Sequence, residues 1–346
     1  MNDPHAAPLL SIVSPVYQAE EIVDHLVQRI IEAVTPITSR FEIILVEDGS
    51  PDHSWDRIAW NAAQDARVKG VRLSRNFGQH HAITAGLFHA QGDYVVVMDC
   101  DLQDDPKYIP VLLEQARQGY DVVFTYKKER KHSIFKNLSA YLFHRVFNWL
   151  SESDNVSSHQ QVGAYSLLTR KVVDAYCSLK DYHRHYLLLL RWLGFSSTSV
   201  EIEHAERFSG QSSYSLRRLI NHALDGITSQ STRLLRLAIG VGAFFCSAAF
   251  LSVGILMFLY FAHGFLEGWT SIIVLTLLLS GVILMFLGVI GLYLGKTFEQ
   301  VKEKPLFVVA EHLNIEAAGT APSVYLAPEN VPLRTAPSKR VVEEEV

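Results

Sequence analysis

From Leu9 to about Phe124 the chain repeats one pattern: a short apolar run, a turn, then an amphipathic stretch. The runs Leu10–Ser14, Phe41–Val46, Gly70–Leu73, Tyr94–Met98 and Asp121–Phe124 are rich in β-branched residues and have strand length. Between them, Glu20–Val34, Ser54–Ala66, Gln79–Ala90 and Pro106–Gln118 carry apolar residues at helical spacing. Strands alternating with helices of this size predict an α/β fold with a mostly parallel sheet covered on both faces. Ligands of such sheets bind beyond the carboxyl ends of the strands. That edge receives Pro15-Val16-Tyr17 after the first strand, Glu47-Asp48-Gly49-Ser50 after the second and the Asp99/Asp101 loop after the fourth.

The pattern then changes. A basic stretch, Lys127-Lys128-Glu129-Arg130-Lys131, precedes a helical pattern through Phe135, Leu138, Leu142, Phe143, Val146 and Leu150. Ser157–Phe208 reads as a further α/β piece that completes the domain. Ser212–Leu234 reads as a helix whose leucines interleave with Arg217, Arg218 and Arg233. It suits a bilayer surface, and a packed surface helix would show the same pattern.

Leu237–Ala262 and Trp269–Gly295 carry no charge, and each exceeds the roughly 20 residues that cross a hydrocarbon core. Arg233 and Arg236 precede the first span, Lys296, Lys302 and Lys304 follow the second, and the link between them holds only Glu267. The positive-inside rule therefore predicts an integral membrane protein with the α/β domain and both termini cytosolic. From about Ala317 the Pro/Ala-rich tail ending in Glu343-Glu344-Glu345 is expected to be disordered.

Composition changes this picture little. With a net charge of −5 over 346 residues, nothing argues for a nucleic-acid surface. The three cysteines, Cys100, Cys177 and Cys246, are far apart and lack metal-ligand spacing, in keeping with a reduced compartment. Residues 1–8 show no basic n-region followed by an apolar core, so no cleaved signal is expected.

The chemistry centres on Val95-Val96-Val97-Met98-Asp99-Cys100-Asp101-Leu102-Gln103-Asp104-Asp105-Pro106, where a β-branched run ends in carboxylates. Strand alternation puts Asp99 and Asp101 on one face. With Gln103 they offer oxygen donors to a hard cation that in turn holds a diphosphate; a solvated acidic turn is the plain alternative.

With Pro15-x-Tyr17, Glu47-Asp48-Gly49-Ser50, Asn76-Phe77-Gly78, Asp99-Cys100-Asp101-Leu102-Gln103-Asp104 and the paired spans, the chain resembles the family 2 glycosyltransferases. Within these it is similar to the polyprenyl-phosphate branch, relatives of dolichol-phosphate mannose synthase. The resemblance covers roughly Leu9–Val309. It implies a GT-A fold (Rossmann-like, mostly parallel sheet), a nucleotide-sugar donor, Mg2+ or Mn2+, and a polyprenyl phosphate acceptor in the lipid bilayer. Pro15, Tyr17 and Asp48 match positions around the donor base and ribose, with Asp99 beside them. Asp99 and Asp101 match the Asp-x-Asp motif, and Asp101 and Gln103 are the implied metal contacts. Lys127, Arg130 and Ser133 match a basic loop that holds the lipid phosphate, where Arg supplies a fork of donors and Lys a point charge. Asp99, Asp101 and Arg130 are thus the implied catalytic set.

Asn76-Phe77-Gly78 opens a helix whose N–H groups can meet an anion, or can simply be capped. His80 and His81 read as structural. The resulting organisation is an extension (1–8), a GT-A domain (9–211), a juxtamembrane helix (212–236), two spans (237–295), a cytosolic segment (296–316) and a tail (317–346). Gly281, Gly288 and Gly291 allow close helix packing, and relatives favour a homo-oligomer.

A phosphomonoester with a second pKa of about 6 is largely dianionic at neutral pH. It needs charge neutralisation rather than a strong base, and direct attack on the anomeric carbon inverts its configuration. The chain departs from the family at Tyr17-Gln18-Ala19 (usually Tyr-Asn-Glu), Gly163-Ala164-Tyr165 (often Gly-Asp-Phe) and Gly210-Gln211-Ser212-Ser213-Tyr214 (Gly-Glu-Ser-Lys-Tyr). These departures suggest a changed sugar preference.

Two rivals remain: transfer to a sugar hydroxyl, as in a polysaccharide synthase, and a non-catalytic membrane scaffold. Leu188-Leu189-Leu190-Arg191-Trp192 keeps only Arg-Trp of the synthase Gln-x-x-Arg-Trp motif. A flippase lacks support, because neither span carries charged residues that would line a path.

Overall fold

The β-branched runs form a sheet that splits the apolar residues between its two sides. The computed structural model describes residues 9–127, 162–203, 268–315 and 324–326, with individual positions between 235 and 262. In chain order the first part runs β1 (Leu10–Val16), α1 (Val23–Val34), β2 (Phe41–Glu47), α2 (Ser54–Gln64), β3 (Val68–Leu73), α3 (Gln79–His89) and β4 (Tyr94–Val97). A 3-10 turn (Pro106–Tyr108) leads into α4 (Ile109–Arg117). Then come β5 (Val122–Lys127), β6 (Val162–Thr169), α5 (Arg170–Ser178), α6 (Tyr186–Leu193) and β7 (Ser197–Ile202). The chain continues with α7 (Trp269–Val301), β8 (Phe307–Leu313) and β9 (Val324–Leu326).

Among the described residues the strands form one nine-stranded sheet in the order β7-β5-β6-β4-β1-β2-β3-β8-β9. β4, β1, β2 and β3 are parallel neighbours, whereas β6 and β8 enter antiparallel. The predicted parallel core is present, and the two antiparallel strands complete it.

Strand alternation sorts the core. Ile12, Ile43, Leu45 and Val96 face α1, α2 and α4, where Leu26, Ile30, Ile58 and Leu112 meet them. Val13, Ile44, Val95 and Val97 face α3, α5 and α6, with Ile83, Leu87, Tyr176 and Leu190. Gly86 lets α3 lie directly on the sheet, since a Cβ there would stand 2.3 Å from Val13 Cγ1.

Three differences from the sequence reading bear on function. β4 ends at Val97, one residue before the predicted Met98, so no strand pairing sets the faces of Asp99 and Asp101 in the loop that follows. Phe307–Leu313, which the sequence reading left without an element, is β8 and pairs with β3. Val324–Leu326, inside the tail expected to be disordered, is β9 and pairs with β8.

In a separate compact unit, α7 is one helix of 33 residues, about 50 Å at 1.5 Å per residue. Its Leu279–Val301 portion is long and apolar enough to cross a membrane. It exposes Ile283, Leu284, Leu287 and Leu294. Of the first predicted span, the described positions are helical and include exposed Phe244, Leu251 and Phe258. The helices expected around Phe135–Leu150 and Ser212–Leu234 lie outside the described residues.

Candidate active site

β1, β2, β3 and β4 run parallel, so their following loops gather at one sheet edge. Each loop is fastened to the next by backbone N–H groups and short polar side chains.

The first fastening joins the loop after β1 to the loop after β2. The N–H of Gln18 donates to Ser50 Oγ (2.8 Å), that of Ala19 to Ser54 Oγ (3.0 Å) and that of Glu20 to Asp52 Oδ2 (3.2 Å). His53 N–H returns a bond to Glu20 Oε2 at 2.9 Å. Burial pulls the Asp52 carboxyl upward, but the Ser50 and Ser54 hydroxyls and the Glu20 N–H outweigh it and hold the group below the usual carboxylate range.

The second fastening joins the loop after β2 to the loop after β3. Gly49 has φ +61, and a Cβ there would lie 2.3 Å from Arg75 C and Asn76 N, so only glycine permits this approach. Beside it the buried Asp48 accepts the N–H of Phe77 at Oδ1 (2.7 Å) and of Gly78 at Oδ2 (2.8 Å). Burial pushes the Asp48 carboxyl up to about 6, with the two N–H groups and Arg75 opposing. The anion that meets the Asn76-Phe77-Gly78 turn is therefore an internal one. Each Asp48 oxygen keeps acceptor capacity toward a ligand. Arg75 is exposed and stacks over the Phe77 ring at 4.2 Å.

The third fastening holds the acidic loop. Gln79, first residue of α3, donates Nε2 to Asp99 Oδ1 at 2.6 Å. Cys100 Sγ hydrogen-bonds with the backbone of Tyr17, and burial, with Asp99 next, pushes this thiol up to about 12. Asp101 Oδ1 accepts the N–H of Gln103 at 3.1 Å, an Asx turn. Between them Leu102 stands at φ +57, strained for a branched side chain. Asp105 ends the loop, accepting from Lys107 N–H (3.0 Å) and from Arg29 of α1 (3.0 Å).

The structure thus brings Pro15, Tyr17, Asp48, Asp99, Asp101 and Gln103 to one edge; Pro15 is buried and Tyr17 is exposed. Lys127 ends β5, which runs in the same direction as β4 with β6 between them. Its backbone is therefore at the same edge, on the order of 10 Å across. Arg130 and Ser133 lie outside the described residues, as does Gly210–Tyr214.

Among the described residues no three carboxylate, imidazole or thiolate groups gather around a point. Mg2+ or Mn2+ needs one or two protein carboxylates and completes its shell with water and substrate phosphate. Asp101 and Asp99 beside Gln103 fit such a half-shell.

Ala164 lies on β6 two residues before Ser166, which pairs with Val97 at the end of the β4 ladder. The neighbouring Tyr165 is buried, and its hydroxyl donates to Asp105 O at 3.2 Å, bracing the acidic loop from below. His81 Nε2 lies 3.3 Å from Tyr182 O, and the His80 ring packs on His185 at 4.5 Å. Burial lowers the His81 pKa, in line with a structural role.

Sequence reasoning missed Gln79 and Arg75. Gln79 carries no motif signal; only the helix start predicted at that position pointed to it.

The sequence model for "Glycosyl transferase family 2" matches residues 11–177. An uncharacterized glycosyltransferase, YkcC of Bacillus subtilis (strain 168), is 37% identical over 308 residues, covering 88% of this chain and 94% of that protein. An undecaprenyl-phosphate 4-deoxy-4-formamido-L-arabinose transferase of Pseudomonas aeruginosa (strain LESB58) is 34% identical over 310 residues, covering 88% and 91%. Among solved structures, glucosyl-3-phosphoglycerate synthase from Mycobacterium tuberculosis with Mn2+, UDP and phosphoglyceric acid aligns at TM-score 0.47 and 17% identity, over 64% of this chain and 77% of that one. The chain belongs to glycosyltransferase family 2, with a GT-A-like sheet.

Proposed function

We propose that this glycosyltransferase moves a sugar from a nucleotide-sugar donor to a polyprenyl phosphate, with inversion, at the cytosolic face of a membrane. The observation that carries this is the joining of three donor-type loops around Asp48, Asp99 and Asp101. The relative named for undecaprenyl phosphate, 34% identical over nearly the whole chain, supports the acceptor.

Pro15, Tyr17 and Asp48 would hold the base and ribose, with Asp99 beside the ribose. Asp101 and Gln103 would hold Mg2+ or Mn2+. When bound, that cation neutralises the donor diphosphate and the departing nucleoside diphosphate. Lys127, Arg130 and Ser133 would hold the lipid phosphate and offset its repulsion from the donor. An oxygen of the dianionic phosphate forms a bond to the anomeric carbon as the bond to the diphosphate breaks, so no protein base is required. Asp99, Asp101 and Arg130 supply the electrostatic positioning.

Lys296, Lys302 and Lys304 near the end of α7 support a cytosolic face. Helix faces bearing Gly281, Gly288 and Gly291, with open space over each, would serve a homo-oligomer. NMR of the lipid-linked product tests the reaction course: inverted anomeric configuration is expected, and retention contradicts it.

A further inference from the structure

A charge row crosses the sheet just beneath the donor-type loops. Glu47 of β2 stands beside Arg72 of β3 in register, and Arg72 stands beside Glu311 of β8. Arg72 Nε lies 3.5 Å from Glu47 Oε2, and Arg72 Nη1 lies 3.6 Å from Glu311 Oε2. The guanidinium also lies over the Trp55 ring at 5.6 Å. Glu47 is 1% exposed. Its Oε1 accepts the Ser50 N–H, and its Oε2 has no hydrogen bond, so Arg72 is the cation that answers it.

We propose that Arg72 is a positioning residue of the donor site. It fixes the buried Glu47 carboxylate, and through it the Ser50 amide and the loop carrying Asp48; Glu311, on the strand that follows α7, fixes Arg72. The C-terminal strand is on this account a working part of nucleotide binding. The inference rests on the reading of the Asp48 loop as the donor site.

Three features support it. Ser50 belongs to the first fastening, because its hydroxyl receives the Gln18 N–H, and it directly follows Asp48 and Gly49, which make the second. A buried carboxylate that loses its cation is left with an uncompensated charge. Among the described residues the other charged groups acting on Glu47 are Asp48 and Asp52, both acidic, so neither replaces Arg72. Burial raises the Glu47 pKa, and Arg72 counters that rise. Without Arg72, Glu47 takes up a proton at a higher pH and its hold on Ser50 weakens from that pH downward.

The test uses the full chain in detergent. Calorimetry measures binding of a panel of nucleoside diphosphates with Mn2+ between pH 6 and 8, while hydrogen exchange is followed at residues 47–54. Arg72→Met is expected to weaken nucleotide binding about tenfold, as for a broken buried pair, more strongly at pH 6.5 than at pH 8, and to speed exchange at Ser50. Glu311→Gln, at a half-exposed side chain, is expected to weaken binding about threefold and keeps the test valid if Arg72→Met does not fold. Glu47→Gln combined with Arg72→Met removes both charges, and this double variant should bind more tightly than Arg72→Met alone, with no added loss at pH 6.5.

Parent-like binding in Arg72→Met and Glu311→Gln would overturn the inference. So would a double variant as weak as Arg72→Met, which would reveal a packing role. If the parent binds no nucleotide although exchange at Ser50 responds to Arg72→Met, the donor reading fails and Arg72 belongs to the fold alone.

Discussion

Asp48, at the end of β2, accepts the backbone N–H groups of both Phe77 and Gly78, at 2.7 and 2.8 Å. This carboxylate therefore builds the start of α3 as well as facing the donor-type edge. One residue further on, the helix sends Gln79 to Asp99. Asp48 and Asp99 are thus tied through a single turn of helix.

A pH dependence follows. Burial lifts the Asp48 pKa from an ordinary value of 3.8 to about 6. Between those values the folded chain holds the extra proton, so Asp48 makes stability fall as pH rises from about 4 to about 6, then level off. Ligand binding runs the other way, because only the ionised group accepts on both oxygens: nucleotide affinity should fall as pH drops through about 6. Asp48→Asn should flatten both trends and weaken nucleotide binding about tenfold, since one N–H then faces an amide NH2. Thermal melts and calorimetry across pH 4–8 measure each.

Gly49→Ala meets two penalties together. The left-handed backbone disfavours any Cβ, and this one would collide with the Arg75–Asn76 backbone. A loss of more than about 2 kcal/mol is expected, read as a fall in melting temperature along with weakened nucleotide binding.

Gln79 holds Asp99 through its side-chain amide. On the proposed reading Asp99 neighbours the cation held by Asp101 and Gln103, so Gln79→Ala should raise the Mn2+ concentration needed for half-maximal activity about tenfold. The Mn2+ titration of initial rate shows it, and an unchanged midpoint would remove Gln79 from the site.

Gln18 stands at φ +52, the position where the related Tyr-Asn-Glu pattern has asparagine. Asn tolerates left-handed backbone better than other side chains that carry a Cβ. Gln18→Asn should therefore stabilise the chain by about 0.5–1 kcal/mol with the bond from Gln18 N–H to Ser50 kept. A raised melting temperature with unchanged nucleotide affinity is the expected result.

The strands and helices through α4 were legible because each buries its own face, and that writes a local period into the sequence: Ile12, Ile43 and Leu45 on one side, Val13 and Ile44 on the other. β8 was not legible. Phe307-Val308-Val309 is a fair strand signal, but its partner β3 lies far back along the chain, past the apolar helix, and no local pattern encodes that pairing. At the site, the Asp-Gly-Ser turn and the Asp-x-Asp loop could be read as motifs. What they touch could not: the bonds from Phe77 and Gly78 to Asp48 and from Gln79 to Asp99 depend on where β3 and α3 end in space. Strand alternation also failed at Asp99 and Asp101 because the β4 ladder stops at Val97.

The central claim, sugar transfer to a lipid phosphate, is tested most directly with the full chain in detergent, undecaprenyl phosphate, Mg2+ or Mn2+, and a panel of nucleotide sugars, reading lipid-linked sugar by mass. The account predicts a sugar–phosphate–lipid product with one donor, lost with Asp101→Ala and with chelator. Product that forms equally well in the Asp101→Ala variant, or no product across the panel from a chain that also binds no nucleoside diphosphate with metal, would contradict it.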